Sequence, residues 1–276
     1  MWLRRLDLAD FRSYERASLD LDEGVTVLVG PNGQGKTNLL EAIYRAATGS
    51  SHRSASDGPL VRLGEQLGVI RAELRTDSGR RRTLELEVGS GRRTRTRVDG
   101  QQVRRTSEAS GVLRVVMFAP EDVAIVRGDP AERRRFLDDL LGQRRPAFAA
   151  TKGEYDRVLR QRNQLLRQAR NLRTEARAQA VETLEVWTEQ LIHHGAQLIA
   201  ARIAAVRALL GPVDRFYRQL ADRPEVIDLT YRSSAQLPAF EELQGTEGLV
   251  PSPAPIAEAL QHVLVSRREE ELARGQ

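Results

Sequence analysis

The chain has 276 residues, 40% of them apolar and 29% charged, which suits a soluble globular protein with long charged helices and room for a sizeable core. It has no cysteine, and this excludes disulfides, thiolate metal sites and cysteine nucleophiles. The formal net charge of +5 is carried almost wholly by arginine, since Lys36 and Lys152 are the only lysines, and it points mildly to a polyanionic partner.

Residues Met1 to Asp7 alternate like a strand and lack the apolar run of a signal peptide. No stretch of about 18 apolar residues is present, so a cytoplasmic protein with no membrane partner is expected. Leu3–Leu8 and Ala17–Leu21 alternate as strands, and Val25–Val29 is a short run of the fully buried type. Residues 36–47 predict a helix with Leu39, Leu40, Ile43, Tyr44 and Ala47 on its apolar face. Period two returns over residues 66–98, and Val112–Phe118 reads as a further strand. Asp129-Pro130-Ala131-Glu132 is a helix start, with an acid at the cap, proline first and glutamate in the first turn. From there to about residue 222 the pattern is helical, with breaks near Gly142–Pro146 and between Arg173 and Ala180. Two long antiparallel helices inserted between β-rich segments are expected. Val226–Tyr231 reads as a strand, Gly245–Pro255 as a linker, and residues 256–274 as a final charged helix.

Between the strand at Val25–Val29 and the helix at 36–47 stands Gly30-Pro31-Asn32-Gly33-Gln34-Gly35-Lys36-Thr37. It satisfies G-x-x-x-x-G-K-[ST] at every fixed position. The glycines let backbone N–H groups turn inward around phosphates, and the following helix directs its N-terminal dipole at the anion. Lys36 is expected to reach the β- and γ-phosphates of ATP, and the Thr37 hydroxyl to ligate Mg²⁺. A plain Gly-rich turn with an incidental lysine is the competing structural explanation.

Leu8-Ala9-Asp10-Phe11-Arg12-Ser13-Tyr14, followed by the P-loop and Asn38-Leu39-Leu40-Glu41-Ala42-Ile43, resembles the opening of the SMC-like ABC ATPases, and most closely the RecF family. Ser51-His52-Arg53, Phe118-Ala119-Pro120-Glu121-Asp122 and Gly128-Asp129-Pro130 with Arg133–Asp138 extend the resemblance. It runs in register to about residue 145 and more loosely through the helices to Arg268–Leu272. The resemblance implies an α/β fold, an ABC-type P-loop ATPase head carrying an inserted antiparallel helical arm. The expected division is 1–130 for the first lobe of the head, 131–224 for the arm and 225–276 for the start of a return to the head. It further implies slow ATP hydrolysis, ATP-dependent homodimerisation of full-length heads, binding to gapped or double-stranded DNA, and cooperation with other recombination-mediator proteins. Arg12 falls on the early arginine that such heads place near the nucleotide. Glu121 and Asp122 fall near a loop that contacts Mg²⁺ or its water, although no glutamine stands there.

Beyond residue 223 neither a signature motif nor a Walker B strand is recognisable, so the resemblance implies a C-terminally truncated sequence with weak nucleotide binding and little turnover. The paired acids of Leu137-Asp138-Asp139-Leu140 read as a solvated helical turn, and no catalytic residue is assigned. The runner-up is the P-loop head of an overcoming-lysogenization-type nuclease. A small-molecule kinase would not spend some 90 residues on a helical arm.

Two basic features could meet nucleic acid. Arg93, Arg95 and Arg97 share one strand face, but a short turn at Ser90–Arg92 would set Glu87 opposite Arg95 and Glu85 opposite Arg97, favouring ion pairing. The stretch Arg144–Arg177 holds ten Arg/Lys against three acids. Within it Arg157, Arg160, Arg167 and Arg170 fall in an arc of about 140° on a helical wheel. Val158, Leu165, Leu166, Ala169 and Leu172 fill the opposite arc, so this face is the expected phosphate-backbone reader. The histidines (His52, His193, His194, His262) are scattered, and no structural metal is expected.

Overall fold

The computed structural model describes residues 1–54, 56–104, 108–170, 172, 174–222, 225–233 and 251–275. They form two units, Met1–Ala149 and Ala150–Gln276.

The first unit is organised by β1 (Trp2–Phe11), β2 (Tyr14–Asp20), β3 (Leu67–Arg75), β4 (Arg81–Gly89), β5 (Arg92–Val98) and β6 (Gln101–Val103). They make one sheet in the order β2-β1-β3-β4-β5-β6, with every neighbouring pair antiparallel. Strict alternation decides its two faces. Leu6, Leu8, Ile70, Ala72, Leu74, Leu84, Leu86 and Val88 are buried, in one core with Ala42, Ala46 and Ala47 of helix α1 (Lys36–Thr48). Each large aliphatic side chain so buried contributes roughly 1.5–3 kcal/mol.

The other face is a lattice of ion pairs. Glu85 stands opposite Arg97 and Glu87 opposite Arg95, the register the sequence predicts. Arg97 bonds Glu85 at 2.6 Å and also Glu87, while Arg71 holds Glu85 from β3. Gly91, at φ 73°, provides the left-handed residue that the tight β4–β5 turn and its bulge require.

Two predicted strands are absent from this sheet. Val25, Val27 and Val29 are 95%, 74% and 89% exposed, and Val116 and Phe118 are both 93% exposed. Neither Val25–Val29 nor Val112–Phe118 joins a ladder among the described residues. An apolar run records a capacity for burial on both faces, but a strand forms only where a neighbour supplies the ladder. Val226–Tyr231 likewise pairs with nothing described, and Tyr231 packs against the helices of the second unit. Of the predicted linker, residues 245–250 lie outside the described residues.

Helix α1 sets Leu39, Ile43 and Ala47 of the expected face against the core, but its buried side is shifted from the one expected. Leu40 is half-exposed, whereas Glu41, Ala42, Arg45, Ala46 and Ala47 are buried. The reason is that buried ionic partners await the two charged residues, as described below.

A 3-10 turn at Pro120–Val123 and α2 (Ala124–Arg127) lead to α3 (Pro130–Arg144), which starts at the predicted cap, with Asp129 extended and Pro130 first. In the second unit α4 (Pro146–Ala169) and α5 (Thr174–Leu220) run antiparallel, Leu166 and Ala169 meeting Ala180 and Leu184. α6 (Pro253–Arg274) lies alongside them: Leu272 joins that cluster, and Ile256 packs on Ala196, Ala200 and Ile203. Part of α5, Gln179–Leu220, is long and apolar enough by composition to cross a membrane, yet it carries the stripe that α6 covers. Leu172, expected on the apolar face of α4, lies past that helix's end and is exposed.

Candidate functional site

The phosphate loop is shaped by its glycines. Gly30, Gly33 and Gly35 have φ of 154°, 81° and 93°, conformations that a side chain disfavours. Pro31, Asn32, Gly33, Gln34 and Thr37 are exposed. Helix α1 starts at Lys36 behind Gly35, with no side chain capping it and no acid in its first turn. Only from Asn38 onward do its amides turn back to the chain, Asn38 N–H donating to the Gly35 carbonyl at 2.8 Å. The helix start is thus left positive and open, the arrangement that an anion satisfies. Lys36 Nζ donates to the carbonyls of Gly30 and Pro31, both at 2.7 Å, arching over the loop. The donor set fits a nucleotide triphosphate.

Behind the loop lies a buried polar hub that sequence reasoning missed. Glu41, one turn after Thr37, has no solvent exposure. Its carboxylate accepts Arg12 Nη2 at 2.6 Å, Arg12 Nε at 2.9 Å and the Ser51 hydroxyl at 2.5 Å. Arg12 Nη1 donates to the Pro59 carbonyl at 2.8 Å, so all three guanidinium nitrogens are engaged. Arg45 is similarly buried, donating to Asp57 at 2.9 Å and to Thr94. Ala42, Ala46 and Ala47, small residues on the side that packs closely, were the available signal that Glu41 and Arg45 point inward.

Burial opposes ionisation of Glu41, but the hydrogen bonds from Arg12 and Ser51 outweigh it and hold the carboxyl below its ordinary value. A depressed carboxyl stabilises the fold above its unfolded value, near 4.3, and that stabilisation is lost as pH falls through the lower folded value. Thermal unfolding followed from about pH 6 to pH 3 should therefore show an acid-dependent loss that is smaller in Glu41→Gln.

The paired acids of α3 are not a solvated turn. Asp139 Oδ2 accepts the Tyr44 hydroxyl at 2.8 Å, joining α3 to the P-loop helix. Burial and the Asp139 charge raise the phenol well above its usual range, so it stays a donor. Asp122 accepts the Ala119 N–H at 2.7 Å, closing the 3-10 turn.

On the helical unit, Arg157, Arg160 and Arg167 are exposed on α4, opposite the buried Val158, Leu166 and Ala169, and Arg170 is exposed in the turn just past the helix's end. They are unequal. Arg157 bonds Glu154 at 2.8 Å and its guanidinium stands 5.8 Å from the Trp187 ring centre. Arg167 reaches only the Asn163 carbonyl, at 3.2 Å, and Arg160 has no acidic partner among the described residues. Arg162 belongs to another class: it is 3% exposed and bonds Glu271 at 2.7 Å. Among the described residues no cluster of His, Cys, Asp or Glu could hold a metal ion.

Comparison with known proteins decides the family. A family model described as AAA domain matches residues 5–221. The DNA replication and repair protein RecF of Kineococcus radiotolerans is 46% identical over 275 residues, covering 100% of this chain and 70% of that protein. The chain belongs to the RecF family. Two solved structures agree over the whole of this chain and 70% of theirs. The recombination mediator protein RecF-ATPrS of the RecFOR pathway is 26% identical with a TM-score of 0.84, and RecF-ATP of the same pathway is 25% identical with a TM-score of 0.83. The fold is therefore the RecF one, an ABC-type P-loop head with a helical arm. Whole-chain identity to RecF disfavours the nuclease alternative.

Proposed function

We propose that this chain is a cytoplasmic, ATP-dependent DNA-binding protein of replication and recombinational repair. Nucleotide held at Gly30–Thr37 gates homodimerisation of full-length heads on gapped or double-stranded DNA, with other recombination-mediator proteins as partners. The observation that carries this reading is the uncapped start of α1 behind a complete P-loop, in a chain of the RecF family.

When bound, MgATP supplies a phosphoanhydride whose charge the metal partly neutralises. The backbone amides of Gly33 to Thr37 would hold the phosphates, Lys36 would exchange the Gly30 and Pro31 carbonyls for phosphate oxygens, and the Thr37 hydroxyl would ligate Mg²⁺. Arg12, whose guanidinium bonds Glu41 and Pro59, supports the site from behind. The comparison with RecF-ATP favours this assignment of ligand.

DNA is assigned to the outer face of α4. Arg160, Arg167 and, one residue past the helix's end, Arg170 are the available cations there, and Arg157 is the most restrained of the four because Glu154 already holds it. Reversing Arg160, Arg167 and Arg170 to Glu in the full-length protein should weaken DNA binding. It should also flatten the dependence of log K on log salt by about 0.9 per phosphate contact removed. An unchanged affinity and slope would sink the arm assignment. Arg95→Ala with Arg97→Ala is the matched control: those cations are neutralised by Glu85 and Glu87, so DNA affinity should stay as it is.

A further inference from the structure

The turn between β1 and β2 is pressed against the phosphate loop. Gly35 is so close to it that a Cβ there would stand 2.8 Å from the Tyr14 hydroxyl and 3.0 Å from the Ser13 hydroxyl. Ser13 Oγ accepts Asn38 Nδ2 at 3.0 Å, tying the same turn to the first turn of α1. The turn itself is strained: Asp10 and Arg12 have φ of 47° and 52°, left-handed values that non-glycine residues avoid. Its strain is held in place by the Arg12–Glu41 pair, and Arg62 adds a bond to Asp10 at 2.7 Å. Glu41 thus sits at the junction of three segments: the β1–β2 turn through Arg12, the P-loop helix that bears it, and the loop at Ser51, whose hydroxyl also accepts the Arg53 and Ser54 amides.

We propose that the β1–β2 turn is a positioning clamp for the phosphate loop: Glu41 and Arg12 anchor it, and Ser13 and Tyr14 fix Gly35 so that the amides of Lys36 and Thr37 face the bound phosphates. These are positioning residues, since none needs to contact nucleotide. The clamp accounts for a buried ion pair placed directly behind an exposed loop, and for a strained turn kept where a glycine would relax it. It rests on the proposed function only in requiring that phosphate binds at Gly30–Thr37.

The test uses the whole chain and two probes, MgATP and inorganic tripolyphosphate, with titration calorimetry of wild type, Lys36→Ala, Ser13→Ala, Tyr14→Phe, Glu41→Gln, Arg12→Lys and Arg12→Ala. Ser13→Ala, which loses one hydrogen bond on an exposed turn, should weaken both probes equally, by about 3- to 10-fold. Arg12→Ala should weaken them by about 10-fold or more, with partial recovery in Arg12→Lys. Glu41→Gln and Ser13→Ala should be non-additive when combined, because each releases the same turn. If Glu41→Gln fails to fold, Ser13→Ala and Tyr14→Phe still decide, since both lie at the far end of the clamp. Affinities unchanged in Ser13→Ala and Arg12→Ala, while Lys36→Ala loses binding, would overturn the clamp and leave the P-loop assignment intact. Loss for ATP alone, with tripolyphosphate unaffected, would also overturn it, for Tyr14 or Ser13 would then be reading the nucleoside. Unchanged binding in Lys36→Ala would instead remove the P-loop reading itself.

Discussion

Lys36→Ala is expected to weaken MgATP binding by about 100- to 1,000-fold without loosening the fold. Hydrogen bonds to charged groups contribute roughly 1.5–3 kcal/mol each, and Lys36 would make at least two to the phosphates, where 1.4 kcal/mol is about tenfold. The fold loses little, because the only bonds Lys36 Nζ makes among the described residues go to two carbonyls of the exposed loop, Gly30 and Pro31. Titration with a fluorescent ATP analogue, beside a thermal melt of the empty protein, separates the two quantities. Lys36→Arg should not restore binding. The loop wraps a compact ammonium that bonds two adjacent carbonyls at 2.7 Å, and a planar guanidinium fork cannot occupy that place without opening the loop. A chain that uses arginine nearly everywhere else keeps lysine here, and the geometry gives the reason.

The largest expected effect on stability lies at Arg162. Its guanidinium is 3% exposed and is shared between Glu271 of α6, at 2.7 and 3.3 Å, and the Thr188 hydroxyl of α5, at 3.0 Å. One side chain therefore joins α4, α5 and α6. Arg162→Ala leaves the Glu271 carboxylate half-buried without its cation and removes the bulk of a buried side chain, so a loss of about 3 kcal/mol is expected. Replacing both partners, Arg162→Met with Glu271→Leu, should recover most of that loss, because the burden is the unpaired charge and not the missing bond. Urea unfolding read through Trp187, in a Trp2→Phe background, reports the helical unit alone. A double variant as unstable as the single one would show that the packing, and not the charge, carries the effect.

The parts of the molecule legible in sequence are those with local causes. The P-loop is eight consecutive residues whose types dictate its conformation, and Asp129-Pro130-Ala131-Glu132 starts a helix whatever surrounds it. The β4–β5 register could also be read in advance, since a short turn and alternating charge leave one pairing that satisfies Glu85, Glu87, Arg95 and Arg97. What could not be read depends on partners distant in the chain. Val25–Val29 has the composition of a core strand, but whether it becomes one is decided by a neighbour. Glu41 looks like a surface residue of an amphipathic helix until Arg12 and Ser51 are brought beside it, 29 and 10 positions away. The four-arginine stripe along α4 and just past its end was visible as a stripe. Its division into a restrained Arg157 and a less encumbered Arg160 needed Glu154 and Trp187 in place, while the nearby Arg162 looked like any other cation of a basic stretch.

The two apolar runs that join no ladder among the described residues bear on how the protein behaves in a tube. Val25, Val27, Val29, Val116 and Phe118 combine exposed hydrophobic side chains with backbone outside any ladder among the described residues, the combination that recruits strands from other molecules. Preparations of this chain should brighten a hydrophobic dye while still fully folded, and should self-associate more as concentration rises. Placing lysine at Val27 and Val116 should suppress both without altering the melt, a practical route to handling the P-loop unit in solution.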